Sequence, residues 1–240
     1  MAIIGNALSV LALKANIYVT TRPGATVTFK KGSTTMGTLT ADGSGHCNLE
    51  VLIPNFGSWT VTSTTGSDTG SASVTVSDTI QYNVTVAQRK YLIQNGNFIV
   101  SGHKVVGKST SAFEDYGDYI WLATDKNLNP DNNVISGYFT AGIDMGYWKT
   151  MYIDSQQRGD GAYAGLTTST SAQEASFTNS VQLCGQRTSY DSRSTKSLNI
   201  SSVTGTKYIA LKVGSWVYID SGGIQGSYGV IRVWNLYLQG

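Results

Sequence analysis

Between residues 16 and 88 the chain is an unbroken succession of short alternating segments broken by Gly-containing turns, with no helical period anywhere in it. Apolar and polar residues that alternate over a handful of positions specify strands with one face buried. Seven strands follow, at 16–21, 25–31, 34–40, 46–53, 59–64, 71–76 and 79–86. Arg22-Pro23-Gly24 sets the first turn, Pro fixing φ and Gly accepting a positive one. Asp42-Gly43 with Gly45 sets a later turn, and the stretch from Gly66 to Gly70 another. Val27 and Phe29 share one face of their strand, as do Trp59, Val61 and Ser63, while Thr fills the opposite faces. This pattern predicts a seven-strand antiparallel sandwich that supports or displays something, with any chemistry lying elsewhere in the chain.

The order of these segments carries a resemblance. Arg22-Pro23-Gly24-Ala25-Thr26-Val27-Thr28-Phe29 comes first, then Gly37-Thr38-Leu39-Thr40 with Asp42-Gly43, then Phe56-Gly57-Ser58-Trp59-Thr60-Val61-Thr62 and a closing Val84-Thr85-Val86. That succession resembles the carboxypeptidase-regulatory-like (transthyretin-like) family of immunoglobulin-type sandwiches. The resemblance implies that Ala25 and Val27 lie in the second strand, that Gly37 and Thr38 precede the turn at Asp42-Gly43, and that Trp59 takes the family's aromatic position after a Gly. Modules of this family are typically non-catalytic.

Near residues 87–90 the pattern changes. Tyr91-Leu92-Ile93-Gln94-Asn95-Gly96-Asn97-Phe98 opens a second segment that holds Trp121, Trp148, Trp216 and Trp234, four of the five tryptophans. Strands are expected at 118–124, 134–140, 147–153, 162–168, 181–184, 195–200, 207–213, 216–219 and 228–238. Many short strands without a helix suggest a jelly-roll-like sandwich over 89–240. Its Asn95-Gly96-Asn97-Phe98 opening and its Ile231-Arg232-Val233-Trp234-Asn235-Leu236-Tyr237-Leu238 close are similar to carbohydrate-binding-module-like sandwiches. A pair of modules in this order resembles structural proteins of tailed bacteriophages, on capsids and on tails. The resemblance implies a virion location, partners among other virion proteins and copies of the chain itself, and contact with a host-surface glycan.

Charged residues make up only 13 % of the chain and its net charge is +2, with no basic stripe, so a nucleic-acid partner is not expected. No segment reaches the roughly 20 apolar residues of a membrane helix, and membrane insertion is not expected either. Residues 1–15 are apolar, with Ile3, Ile4, Leu8 and Leu11, but no basic residue precedes the apolar run as it would in a signal peptide. They are read as an arm that docks on a neighbouring subunit. Cys47 and Cys184 fall in different segments and read as partly buried thiols, since a secreted disulfide scaffold carries more cysteines at shorter spacings. The neighbours His46 and Cys47 point to opposite faces of a strand and cannot form a nucleophile pair.

Two aromatic pairs are the strongest binding signal. Tyr119 and Trp121 alternate with Ile120 and Leu122, and Trp216 and Tyr218 alternate with Val217 and Ile219. If the aliphatic faces are core, the aromatic faces are exposed platforms on which sugar C–H faces stack. The competing possibility is that these rings fill the core or a subunit interface. The Asp/Asn-rich loop at 125–133 offers oxygen ligands for calcium, yet Pro130 stands where a sixth-position Gly is usual and Ser136 where a Glu is, so it also reads as a self-capped turn. Arg158-Gly159-Asp160 reads as a turn. Glu114, Asp115, Asp118, Asp144 and Asp154 are candidate glycosidase carboxylates, but no spacing singles out a pair. His103 is a lone histidine, no catalytic motif occurs, and no cofactor is expected. The expectation is a non-enzymatic virion component. Its rivals are a secreted or surface-attached bacterial glycan-binding protein and a polysaccharide-active enzyme.

Overall fold

The computed structural model describes residues 13–107, 112–124, 134–159, 161–172, 174–186, 189–220, 223–227 and 229–240. The docking-arm residues Ile3, Ile4, Leu8 and Leu11 and the 125–133 loop lie outside the described residues. The protein is all-β, and its one described helical segment is a single 3-10 turn at Ile53–Asn55, which begins where Pro54 can no longer pair in a strand. No helix among the described residues is long and apolar enough to cross a membrane. The chain divides into two compact units, Met1–Gln88 and Arg89–Gly240.

The first unit has seven strands: β1 (Lys14–Thr20), β2 (Thr26–Lys31), β3 (Thr34–Thr40), β4 (His46–Leu52), β5 (Gly57–Thr65), β6 (Asp68–Val76) and β7 (Gln81–Thr85). One sheet runs β4-β1-β7, with β1 antiparallel to β4 and parallel to β7. The other runs β3-β2-β5-β6, antiparallel throughout. Between them lie Ile17, Val19, Val27, Phe29, Val51, Trp59, Val61 and Val84. Ser63 continues the Trp59–Val61 face and is fully buried, because its Oγ accepts from Gln88 Nε2 at 2.9 Å and lies 2.7 Å from Thr21 Oγ1. The turn expected from Gly66 to Gly70 is shorter: β5 and β6 meet across Gly66-Ser67 alone, with Gly66 at φ 59°.

The second unit contains β8 (Arg89–Gln94), β9 (Asn97–Phe98), β10 (His103–Gly107), β11 (Ala112–Asp115), β12 (Ile120–Ala123), β13 (Val134–Phe139), β14 (Ile143–Asp144) and β15 (Thr150–Arg158). It continues with β16 (Ala162–Thr167), β17 (Phe177–Cys184), β18 (Ser194–Asn199), β19 (Thr206–Gly214), β20 (Trp216–Asp220), β21 (Gly223–Ser227) and β22 (Val230–Gln239). One sheet is centred on β22. Its one edge pairs with β15, which pairs in turn with β18; its other edge is shared by β12 and β8. The second sheet runs β10-β13-β19-β16-β17. The apolar faces of both bury Leu92, Ile120, Leu122, Ile135, Met151, Ile153, Leu211, Ile231 and Leu236 in one core.

Several elements differ from the sequence reading. β8, β9, β10, β11, β14 and β21 are strands outside the expected set; β9 and β14, of two residues each, are too short to show alternation. The strand expected at 147–153 starts at Thr150 and runs on to Arg158, because Ser155 and Gln157 point into the core where an apolar residue is the usual occupant. Trp148, expected inside that strand, precedes it and is buried in the core. The strand expected at 181–184 begins four residues earlier, at Phe177.

Candidate functional site

The outer face of the β22 sheet carries an aromatic and arginine cluster, and strand alternation puts it there. On β12, Ile120 and Leu122 are buried and Trp121 lies half-buried on the opposite side. On β22, Ile231 and Val233 face the core and Arg232 faces outward. Register then shifts: Asp154 pairs with Asn235 and Ser155 with Val233, which leaves Trp234 as an extra residue with no partner on β15. A bulge of this kind re-aims side chains. Here it lets two consecutive residues, Trp234 and Asn235, both escape the core before Leu236 returns to it.

Around Trp234 the surface sinks into an open cleft of about 530 Å3 lined by Asn95, Asp118, Tyr119, Arg193, Trp234 and Asn235. The Tyr119 and Trp234 rings are 5.6 Å apart and tilted by 56°. Tyr116 stacks parallel to Tyr119, and Trp121 meets Tyr116 edge-on at 4.9 Å. The Arg232 guanidinium lies 4.9 Å from the Tyr119 ring centre and 4.0 Å from that of Tyr190, which adds cation–π attraction to both rings. The Arg193 guanidinium lies 4.2 Å from the centre of Trp234.

Polar contacts fix this arrangement. Arg193 donates through Nε to Asp154 Oδ1 at 2.9 Å and through Nη2 to Oδ2, while Asn235 Nδ2 donates to Oδ2 at 3.1 Å. The Arg193 hydrogen bonds hold the Asp154 carboxyl below the usual carboxylate range. The segment bearing Tyr190 and Arg193 is tied to β15 through Asp191. Its carboxylate accepts from Gln157 N–H at 2.9 Å and from Gln157 Nε2 at 2.7 Å, and its carbonyl accepts from Gln156 Nε2 at 2.8 Å. On the far rim, Asn95-Gly96 closes the β8–β9 hairpin with both residues at positive φ, as a two-residue type I′ turn requires. The Asn95 N–H donates to Asn235 Oδ1 and the Gly96 N–H to the Trp234 carbonyl. A Cβ on Gly96 would sit 2.4 Å from the Asp118 carbonyl group, so only Gly lets the hairpin tip close against the loop before β12.

Of the residues expected at a binding site, the structure brings Tyr119 to the cleft wall and sets Trp121 beside it behind Tyr116. Trp216 and Tyr218 are two positions apart on β20, where the backbone pairs them with Ser227 and Gln225 of β21. Asp118 lines the cleft, whereas Asp115 and Asp144 each accept a backbone N–H two residues on and serve turns. Asp154 is engaged by Arg193 and Asn235. Asn95, Trp234 and Asn235 lie in the two segments that carry the resemblance, but neither they nor Arg193 were expected as binding residues. The Asn-Gly dipeptide between apolar runs is a hairpin signal that points to Asn95, and alternation along β22 points to Arg232, but the bulge that exposes Trp234 leaves no mark on the sequence. Among the described residues no group of His, Cys, Asp and Glu is placed to hold a metal ion.

No protein-family model and no curated protein matches this chain. Among solved structures, it is similar to a family 29 carbohydrate binding module, with 14 % identity, a TM-score of 0.39, and 64 % of this chain and 88 % of that one covered. A family 29 module from Piromyces equi is similar at 13 % identity and a TM-score of 0.38, over 64 % and 90 % of the two chains.

Proposed function

We propose that the unit Arg89–Gly240 is a non-enzymatic glycan-binding module whose site is the cleft at Tyr119 and Trp234. One observation carries this reading: two aromatic rings stand in an open cleft beside Asn95, Asn235, Arg193 and Asp118. A sugar presents different chemistries on its faces and its rim: C–H groups suit a ring, and hydroxyls suit a circle of amide, guanidinium and carboxylate groups. The openness of the cleft suits a chain that passes across it. Asp118 is the one carboxylate in the described cleft lining, and Asp154 is held by Arg193 and Asn235, whereas glycoside hydrolysis uses a pair of carboxyl groups, which favours binding over hydrolysis.

The virion setting rests on the sequence resemblance of the paired modules to structural proteins of tailed bacteriophages. In it, many copies on one particle turn weak single sites into avid attachment to a host surface. The test is an array of neutral and acidic glycans probed with the full chain and with Trp234→Ala. The expected result is a restricted set of bound glycans, lost in the variant while its thermal unfolding stays cooperative. An array with no bound glycan overturns the reading.

A further inference from the structure

We infer that Arg193 is the specificity-determining residue of this cleft, and that it selects neutral glycans by gripping two adjacent hydroxyls of one sugar ring; the inference rests on the glycan-binding reading above. A guanidinium has two edges able to hold a pair of oxygens. In Arg193 the Nε–Nη2 edge is taken by Asp154, and Nη1 makes no hydrogen bond to any described residue. The group lies over Trp234 with its centre 4.2 Å from the ring, and its side chain remains 48 % exposed at the cleft. Its Nη1–Nη2 edge is therefore the held, unused donor pair of the site. Because the guanidinium occupies one face of Trp234, a sugar meets the Arg193 edge together with Tyr119 instead of lying on a bare indole.

The partner chemistry follows from what surrounds that edge. A carboxylate-bearing sugar also fits a guanidinium fork, but Asp118 lines the same cleft and repels an anion. Adjacent hydroxyls satisfy both groups, since each hydroxyl accepts from Arg193 while keeping a proton to give to Asp118 or to an amide oxygen. Asp154 is already satisfied by Arg193 and Asn235, so it orients the fork without competing for the sugar.

The experiment titrates the full chain with cellohexaose, with its 1,3-linked isomer laminarihexaose, and with hexagalacturonate. Inner rings of the 1,4-linked hexamer carry hydroxyls on neighbouring carbons two and three, whereas the 1,3 linkage consumes one of that pair. The expected result is tighter binding of cellohexaose than of either other hexamer. Arg193→Lys, which keeps the charge but loses the fork, should weaken cellohexaose binding by about tenfold or more and abolish the preference between the isomers. A merely structural role for Arg193 would lower binding of both isomers alike. Equal binding of the two isomers, tighter binding of the acidic hexamer, no binding of cellohexaose, or an unchanged Arg193→Lys overturns the inference and leaves the glycan reading standing. Failure of every glycan on the array overturns the reading beneath it.

Discussion

Tryptophans in this chain differ sharply in what their removal should do. Trp148 is 1 % exposed and packs in the core of the second unit, so Trp148→Ala should cost about 3–5 kcal/mol. Trp234 is half-buried against Tyr119 and Arg193, so Trp234→Ala should cost about 1–2 kcal/mol, the worth of a ring pair and a cation–π contact. Chemical denaturation of both variants measures the difference. Asp154 gives a pH dependence. Its carboxyl titrates below the unfolded value of about 3.9, so its contribution is fully present above that pH and is lost as the pH falls through the lower, folded value. Glycan binding should therefore hold through neutral and mildly acidic pH and fall only as the pH drops through the lowered, folded value of Asp154, and Asp154→Asn should remove that acid limb. In the first unit, Ser63→Ala removes a buried hydroxyl that Gln88 Nε2 and Thr21 Oγ1 both reach, leaving Gln88 its contact with Thr65 and Thr21 its contact with Val86, and should cost about 1 kcal/mol.

At the scale of elements, alternation located the strands whose inward residues are apolar and failed where they are not. Val27 with Phe29, and Trp59 with Val61, were readable as core faces because each pair repeats every second residue beside Thr. β15 was not, since Ser155 and Gln157 occupy its inward positions and read as surface; the partner that makes a buried Gln157 tolerable, Asp191, lies 34 residues away. Tyr119 was legible as a binding candidate because Ile120 and Leu122 beside it read as core. Trp234 was hidden by the bulge. Asp191→Ala should detach the segment carrying Tyr190 and Arg193, with faster amide exchange there and weaker glycan binding, while the strands of the other sheet keep their protection.

At the scale of the molecule, each unit has a core of its own, and a fragment beginning at Arg89 is expected to unfold cooperatively by itself. If the chain is a virion component, as proposed, deleting residues 1–13, which precede β1, should leave both units folded and exclude the protein from particles, as measured by the protein content of purified particles. A glycan seated in the Tyr119–Trp234 cleft should report its place through the five tryptophans, which mark five places in the chain. Indole N–H resonances followed through a titration with a glycan bound on the array test that placement most directly. Trp234 should shift most and Trp121 weakly, while Trp59 and Trp148 stay fixed. Movement of Trp216 with Trp234 unmoved would contradict it and transfer the site to the β20–β21 hairpin.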